Sequence, residues 1–188
     1  MAFIKIVEPD EAEGKLRAIY DDLLKKRGKL AEVHKLQSLN PQSIVDHMDL
    51  YMTIMFGNSP LKRSQREMMA VVVSRVNDCL YCQKHHGAAL EQYWKDSDRV
   101  EAFRKDFRKV DLTPLNRSLC EVADAVTRAP ASKDRSAHVE KLRDHGLSDR
   151  AVLDSMMVIA YFNFVNRLVL GLGVELESDE GKGYTYDP

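Results

Sequence analysis

Residues 64–87 read SQREMMAVVVSRVNDCLYCQKHHG. A helix that starts near Lys62 to Ser64 runs to about Val76, and Asn77-Asp78 breaks it and can cap the next one. Cys79 to Trp94 reads as that second helix, with Cys79 in its first turn. Two helices joined by a tight turn, with cysteines at the junction, set the pattern for the chain.

Outward from this pair the same grammar repeats. Toward the N-terminus, a helix from about Pro9 to Arg27 keeps Leu16, Ile19, Tyr20, Leu23 and Leu24 at helical spacing and ends before Gly28. Lys29 to Leu36 supplies a further turn or two. Asn40-Pro41 opens a helix that Gly57 closes, with Ile44, Val45, Met48, Tyr51, Met52 and Met55 as its apolar face. Toward the C-terminus, Asp96 to Phe107 is helical, and Thr113-Pro114 caps a helix that ends before Pro130. Ser132 to His145 stops at Gly146, and Ser148 caps a last long helix to about Leu170. The alternation of Phe3, Ile4, Ile6 and Val7 is too short to define a strand. Val174 to Pro188 reads as an irregular tail, an arm able to reach a neighbouring subunit. The fold class is all-α.

No linker or low-complexity segment divides the chain, so 1–188 is read as a single helical domain. It comprises N-terminal helices (1–58), a core that carries the cysteine pair (59–130), C-terminal helices (131–173) and a tail (174–188). Apolar residues are 44% and charged residues 30% of the 188, and the net charge is -1. That balance provides no field for nucleic acid or an anionic membrane. Met1 to Ile6 lacks a basic region followed by an apolar run. The longest uncharged apolar stretch, Ser155 to Asn166, is shorter than the about 20 residues a bilayer requires. A cytoplasmic protein is expected, without nucleic-acid or membrane partners. Three cysteines, Cys79, Cys82 and Cys120, do not make a secreted disulfide scaffold, and a CxxC in a cytosolic chain is catalytic or metal-binding more often than structural.

The residues that carry chemistry form the pattern E-x11-C-x2-C-x3-H, from Glu67 through Cys79 and Cys82 to His86. Three- and four-residue spacings put both cysteines and His86 on one stripe of a helix. The helix N-terminus favours a thiolate in its first turn, and His86 can serve as base or ion-pair partner for Cys82. If the two helices pack antiparallel, Glu67 returns to the level of His86 and can orient the imidazole. Such a set suits a thiolate that attacks a hydroperoxide to give a sulfenic acid, a second thiol that condenses with it, and an external dithiol that reopens the disulfide.

These four residues, with the text from Ser64 to Gly87 and the later segment Ala160 to Arg167, resemble the AhpD-like, carboxymuconolactone decarboxylase superfamily, in its peroxidase-related branch. The resemblance implies an AhpD-like helical bundle with an N-terminal helical extension, assembled as a dimer, trimer or hexamer. It implies reduction of alkyl hydroperoxides with no bound cofactor and a lipoyl-type or thioredoxin-type dithiol as donor. Carried over, Cys82 is the peroxidatic thiol, Cys79 the resolving thiol nearer solvent, and Glu67 with His86 the proton relay. One departure stands out: Tyr81 occupies the position of a family histidine, and a phenol cannot replace an imidazole as base near neutral pH.

Other readings stay open beside this one. Cys79, Cys82 and His85 or His86, with Cys120, could hold zinc, and a non-catalytic helical module with a redox-sensing thiol pair is a further alternative. His85 points about 100° away from His86 and reads as a surface or interface residue. Cys120 reads as a buried apolar thiol, Asn163, Asn166 and Arg167 as inter-helix hydrogen bonders, and Met48, Met52, Met55, Met68, Met69, Met156 and Met157 as core or interface. His34, His47, His138 and His145 read as surface.

Overall fold

A computed structural model describes residues 2–179, 181, 183 and 184. Its elements in order are α1 (Gly14–Arg27), α2 (Glu32–Lys35), α3 (Pro41–Tyr51), α4 (Arg63–Val76), α5 (Leu80–Trp94), α6 (Ser97–Lys105), α7 (Pro114–Arg128), α8 (Arg135–Arg143) and α9 (Asp149–Leu172). Helix α3 runs on through a π-helical turn, Met52–Phe56, and a 3₁₀ turn, Phe107–Lys109, follows α6. The described residues contain no strand.

Local chemistry sets the boundaries. Thr113, Ser148 and Asp96 accept at their side chains from the backbone N–H of Asn116, Ala151 and Arg99, caps of about 1 kcal/mol each. Helix α1 begins at Gly14 rather than at Pro9, because Glu8 to Glu11 closes a separate turn (Glu11 N to Glu8 O, 3.0 Å) before the chain swings through Gly14 at φ +52°. Asp78, at φ 54°, makes the left-handed step between α4 and α5 and leaves Cys79 as the extended N-cap of α5 rather than inside its first turn.

Helix α4 is the axis of the molecule. Every residue from Gln65 to Ser74 is buried, and α5, α7 and α9 pack around it. A helix buried on all sides must satisfy its polar side chains internally. Arg66 does so at its two terminal nitrogens, donating to the main-chain carbonyls of Ile54, Met55 and Gly57 through one and of Leu61 through the other, while its Nε is buried without a partner. It thereby holds the π-helical turn against the start of α4. A second, smaller cluster of Ala12, Leu16, Tyr20, Leu23, Leu30 and Ile44 seals the N-terminal helices.

By length and composition α9 could cross a membrane, with a mean hydropathy of 1.4, although its uncharged run read alone fell short of a span. Its apolar side serves the core instead: Val158, Ile159, Phe162, Val165 and Val169 are buried against α4 and α7. After Gly173 the tail is irregular and its described residues fold back onto their own chain. Lys29 pairs with Asp179 at 2.5 Å, and Glu177 reaches the N–H of Glu32 at 3.4 Å.

Candidate active site

Because α4 and α5 run antiparallel through the Asn77-Asp78 turn, Glu67 returns beside His86. Its Oε2 lies 2.7 Å from His86 Nδ1, and its Oε1 accepts from Arg63 Nε at 2.8 Å and from a second Arg63 nitrogen. Glu67 has no solvent exposure. Burial alone would raise its pKa, but His86 and Arg63 together outweigh burial and hold it below the usual carboxylate value. An ionised carboxylate only accepts, so His86 donates to it from Nδ1, which leaves Nε2 for other partners. Phe162 meets the His86 ring edge-on at 4.4 Å and fixes its plane.

Cys79 and Cys82 are both buried, at 0% and 2% exposure, and their thiols are in hydrogen-bond contact. Cys79 accepts from the Cys82 side chain, which lowers its pKa, and the Cys82 backbone N–H adds to the effect. Cys82 is pushed well up by that same contact and by burial, with a small opposing hydrogen bond from Asn166. The first negative charge of the pair therefore rests on Cys79 at the N-terminus of α5. Beneath the pair, Asn166 donates to Ser74 Oγ at 3.2 Å and accepts from Asn77 at 3.0 Å.

The expectation that Cys79 stands nearer solvent is not met. Cys82 lines a cavity of about 80 Å³, and Cys79 does not. His86, Tyr161, Phe162, His34 and His47 share that cavity with Cys82. The surface reading of His34 and His47 is corrected as well. His47 is 5% exposed, and its ring is wedged between Gln37 Nε2 at 2.7 Å and Tyr161 Oη at 2.6 Å. His34 Nδ1 is buried without a partner. Burial drives their pKa values down, to about 3 for His34 and about 4 for His47, so both are neutral at ordinary pH.

His85 is not a surface residue either, because the tail covers it. Its Nε2 lies 2.8 Å from Glu177 Oε2, and the ring lies over Tyr81 with centroids 4.1 Å apart. Tyr81 itself donates to Glu177 Oε1 at 3.2 Å and accepts from Val33 N at 3.4 Å. In this chain Tyr81 ties α5 to the tail and to α2. Gly181, at φ +78°, passes so close to His85 that a Cβ there would sit 2.7 Å from the ring. Burial raises the Glu177 pKa, but the His85 contact prevails and holds it at about 2.

The remaining candidates separate cleanly. Cys120 is buried in α7 with its pKa raised by burial. Among the described residues no group of three or more His, Cys, Asp and Glu is assembled to hold a metal. Asn163 and Arg167 make inter-helix and local hydrogen bonds. Met55, Met68 and Met69 are in the core, whereas Met157 is 39% exposed. His138 is half-buried, and His145 is exposed with its ring 2.8 Å from Ser118 Oγ. Three participants were missed in the sequence. Arg63 stands four residues before Glu67 and was findable by helical spacing. Tyr161 and Glu177 approach the site over separations for which no local pattern exists.

Comparison with known proteins bears on this geometry. The model of the carboxymuconolactone decarboxylase family matches residues 46–105, a span that includes Glu67, both paired cysteines and His86. The crystal structure of an uncharacterised peroxidase-related protein from Silicibacter sp. TM1040 superposes with a TM-score of 0.87 at 29% identity, covering 96% of this chain and 94% of that one. A peroxidase-related protein from Ralstonia eutropha JMP134, described as an alkylhydroperoxidase AhpD core, gives 0.85 at 24% identity with the same coverage of 96% and 94%. The debrominase Bmp8 gives 0.77 at 20% identity over 93% of this chain and 92% of its own. The uncharacterised protein YdfG of Bacillus subtilis is 21% identical over 116 residues, 61% of this chain and 78% of that protein.

Proposed function

We propose that the chain, whose residues 46–105 match the carboxymuconolactone decarboxylase family model and whose fold superposes on a peroxidase-related protein, is a thiol-dependent peroxidase of the AhpD-like type that reduces organic hydroperoxides through Cys82 and Cys79. One observation carries the reading: Cys82 and His86 line the same cavity, with His86 tied through Nδ1 to the buried Glu67. The Cys82 sulfur attacks the terminal oxygen of ROOH as its proton, shared at rest with Cys79, is taken up by His86 across the cavity. The O–O bond breaks, Cys82 becomes a sulfenic acid, and the proton passes to the leaving alkoxide to give ROH. Cys79, already in contact, displaces hydroxide from that sulfur; with a proton it leaves as water, and the disulfide remains. A lipoyl-type or thioredoxin-type dithiol then restores both thiols by exchange and is itself oxidised. Assembly as a homo-oligomer in a reducing cytoplasmic setting belongs to the same proposal.

The test is peroxide-driven loss of free thiol, followed by mass analysis, in wild type and Cys82→Ser. Wild type is expected to lose two thiols per chain to a Cys79–Cys82 disulfide, and the variant to form none. Thiols that stay reduced under excess alkyl hydroperoxide sink the proposal.

The aromatic walls of the cavity favour a second reading, supported by the likeness to the debrominase: reductive dehalogenation of a small ring. There the same thiol pair supplies two electrons, the ring exchanges halide for a proton, and the products are the disulfide and a hydrogen halide. Halide release from a bromophenol in step with thiol loss distinguishes this reading from the first.

A further inference from the structure

The cavity beside Cys82 has a polar wall that the redox chemistry does not use. Gln37 Nε2 also donates to the carbonyl of Val33 at 3.0 Å, which orients the amide with its N–H₂ toward both Val33 and His47. His47 Nδ1 therefore accepts from Gln37, and its proton sits on Nε2. That N–H donates to Tyr161 Oη at 2.6 Å. The phenolic proton of Tyr161 is then left over, with no acceptor in the hydrogen bonds of the described residues, on a side chain that lines the cavity. Burial keeps this phenol neutral. His34 lines the same cavity with its Nδ1 unpartnered.

Arg27 completes the wall. Its guanidinium stands over the rings of Tyr51 and Phe56 at 5.4 and 5.6 Å, and it pairs with no carboxylate among the described residues. The groups adjoin one another: the rings of His34 and His47 are 5.7 Å apart, those of His47 and Tyr161 5.6 Å, and those of Tyr161 and Tyr51 6.0 Å. Among the described residues no Asp or Glu lines the cavity. The wall thus offers a cation, a directed O–H and, in the Nδ1–H tautomer of His34, a further donor, and calls for a ligand that accepts. The volume of about 80 Å³ holds on the order of five waters, or one small ring, and the neighbouring walls are aromatic.

We propose that Arg27, His34 and Tyr161 form a recognition subsite for the anionic oxygen of a compact aromatic acid, a carboxylate or phenolate whose ring reaches Cys82. The proposal names a substrate class for the thiol site and so rests on Cys82 as the reactive group, but binding itself requires no thiol chemistry. A buried, charge-assisted acceptor has to be bonded to leave water, and this wall supplies the donors that an alkyl chain would leave unused.

The experiment titrates reduced, full-length wild type with benzoate and with benzyl alcohol, its uncharged counterpart, by calorimetry. Benzoate is expected to bind at least tenfold more tightly than the alcohol. Tyr161→Phe and Arg27→Gln should each weaken benzoate about tenfold, with benzyl alcohol changed less than twofold by Arg27→Gln. Circular dichroism confirms that each variant is folded, and Tyr161→Phe, which removes one oxygen, serves alone if Arg27→Gln is not. Equal affinity for the two probes, no binding of benzoate, or benzoate binding indifferent to both substitutions overturns the subsite. Thiol loss with peroxide is followed separately: thiols that stay reduced while benzoate binds refute the peroxidase and leave the subsite standing.

Discussion

Glu67→Gln removes one charge from the most buried electrostatic element of the site and keeps its shape. The carboxylate is fully enclosed and joins Arg63, 13% exposed at its side chain, to His86. In contact, with an effective dielectric near 20, two opposite charges attract by about 4 kcal/mol. Removing one partner of a buried pair costs about 3–5 kcal/mol, because the other is left without compensation. Arg63 has already one buried nitrogen without a partner, so little else can take up the loss. For a chain of this size the cost corresponds to a melting temperature lower by roughly 6–20 °C. The lowered pKa also sets a pH dependence. The carboxylate contributes its stability above the ordinary value of 4.5 and loses it as pH falls through the lower folded value. Wild type should therefore shed stability into the acid range, and the gap to Glu67→Gln should narrow there. Urea unfolding at pH 7 and near pH 3 measures both effects. A double variant with Arg63→Met should recover at least about 1 kcal/mol relative to the sum of the singles. A melting temperature within about 2 °C of wild type for Glu67→Gln, or strict additivity in the cycle, would refute the reasoning.

Four further outcomes are expected. Glu177→Gln releases the tail from His85 and Tyr81, so alkylation of Cys82 by iodoacetamide should accelerate at least fivefold; an unchanged rate would show that the tail does not limit access. In wild type the same acceleration should appear as pH falls from about 4.5 toward the Glu177 value of about 2, once the rate is normalised to thiolate content. Asn166→Ala removes a donor to Cys82 and the bridge to Ser74 and Asn77, and should cost about 1–3 kcal/mol and push the Cys82 pKa further up, read from the pH dependence of alkylation. Cys120→Ser sets a hydroxyl in an apolar site and should lose about 1–3 kcal/mol in urea unfolding, with peroxide-driven thiol loss unchanged.

The helices were legible because their punctuation is local. Thr113-Pro114, Ser148 and Asn40-Pro41 each mark a start through bonds made within three residues, and the observed helices begin there. Where punctuation was misread, as at Pro9, a turn that shares the same residue types stood in front of the helix. The relation of Glu67 to His86 was legible for a similar reason: one tight turn joins two helices, and the spacing fixes the level at which they meet. The histidines illustrate what spacing cannot convey. His47 meets Tyr161 across 114 positions, and His85 meets Glu177 across 92. Neither partner leaves a periodic mark near the other, so a buried, neutral imidazole and an exposed one look identical in the chain. The cysteine pair shows a third case. Its spacing was plain, but which sulfur faces the cavity depends on the N-cap geometry that Asp78 imposes.

The tail has a consequence for biosynthesis. His85 leaves the ribosome 92 residues ahead of Glu177, so the nascent chain carries α5 and its cysteine pair well before the segment that covers His85. For that interval Tyr81 and His85 lack their carboxylate partner, and the thiol cavity lacks the wall that the tail provides. Folding of the core can proceed from α4 outward, but the enclosed site comes into being only once the tail has been made. A chain stalled or clipped after Gly173 would keep the helical scaffold but leave the cavity beside Cys82 without Tyr184, and His85 and Tyr81 without Glu177.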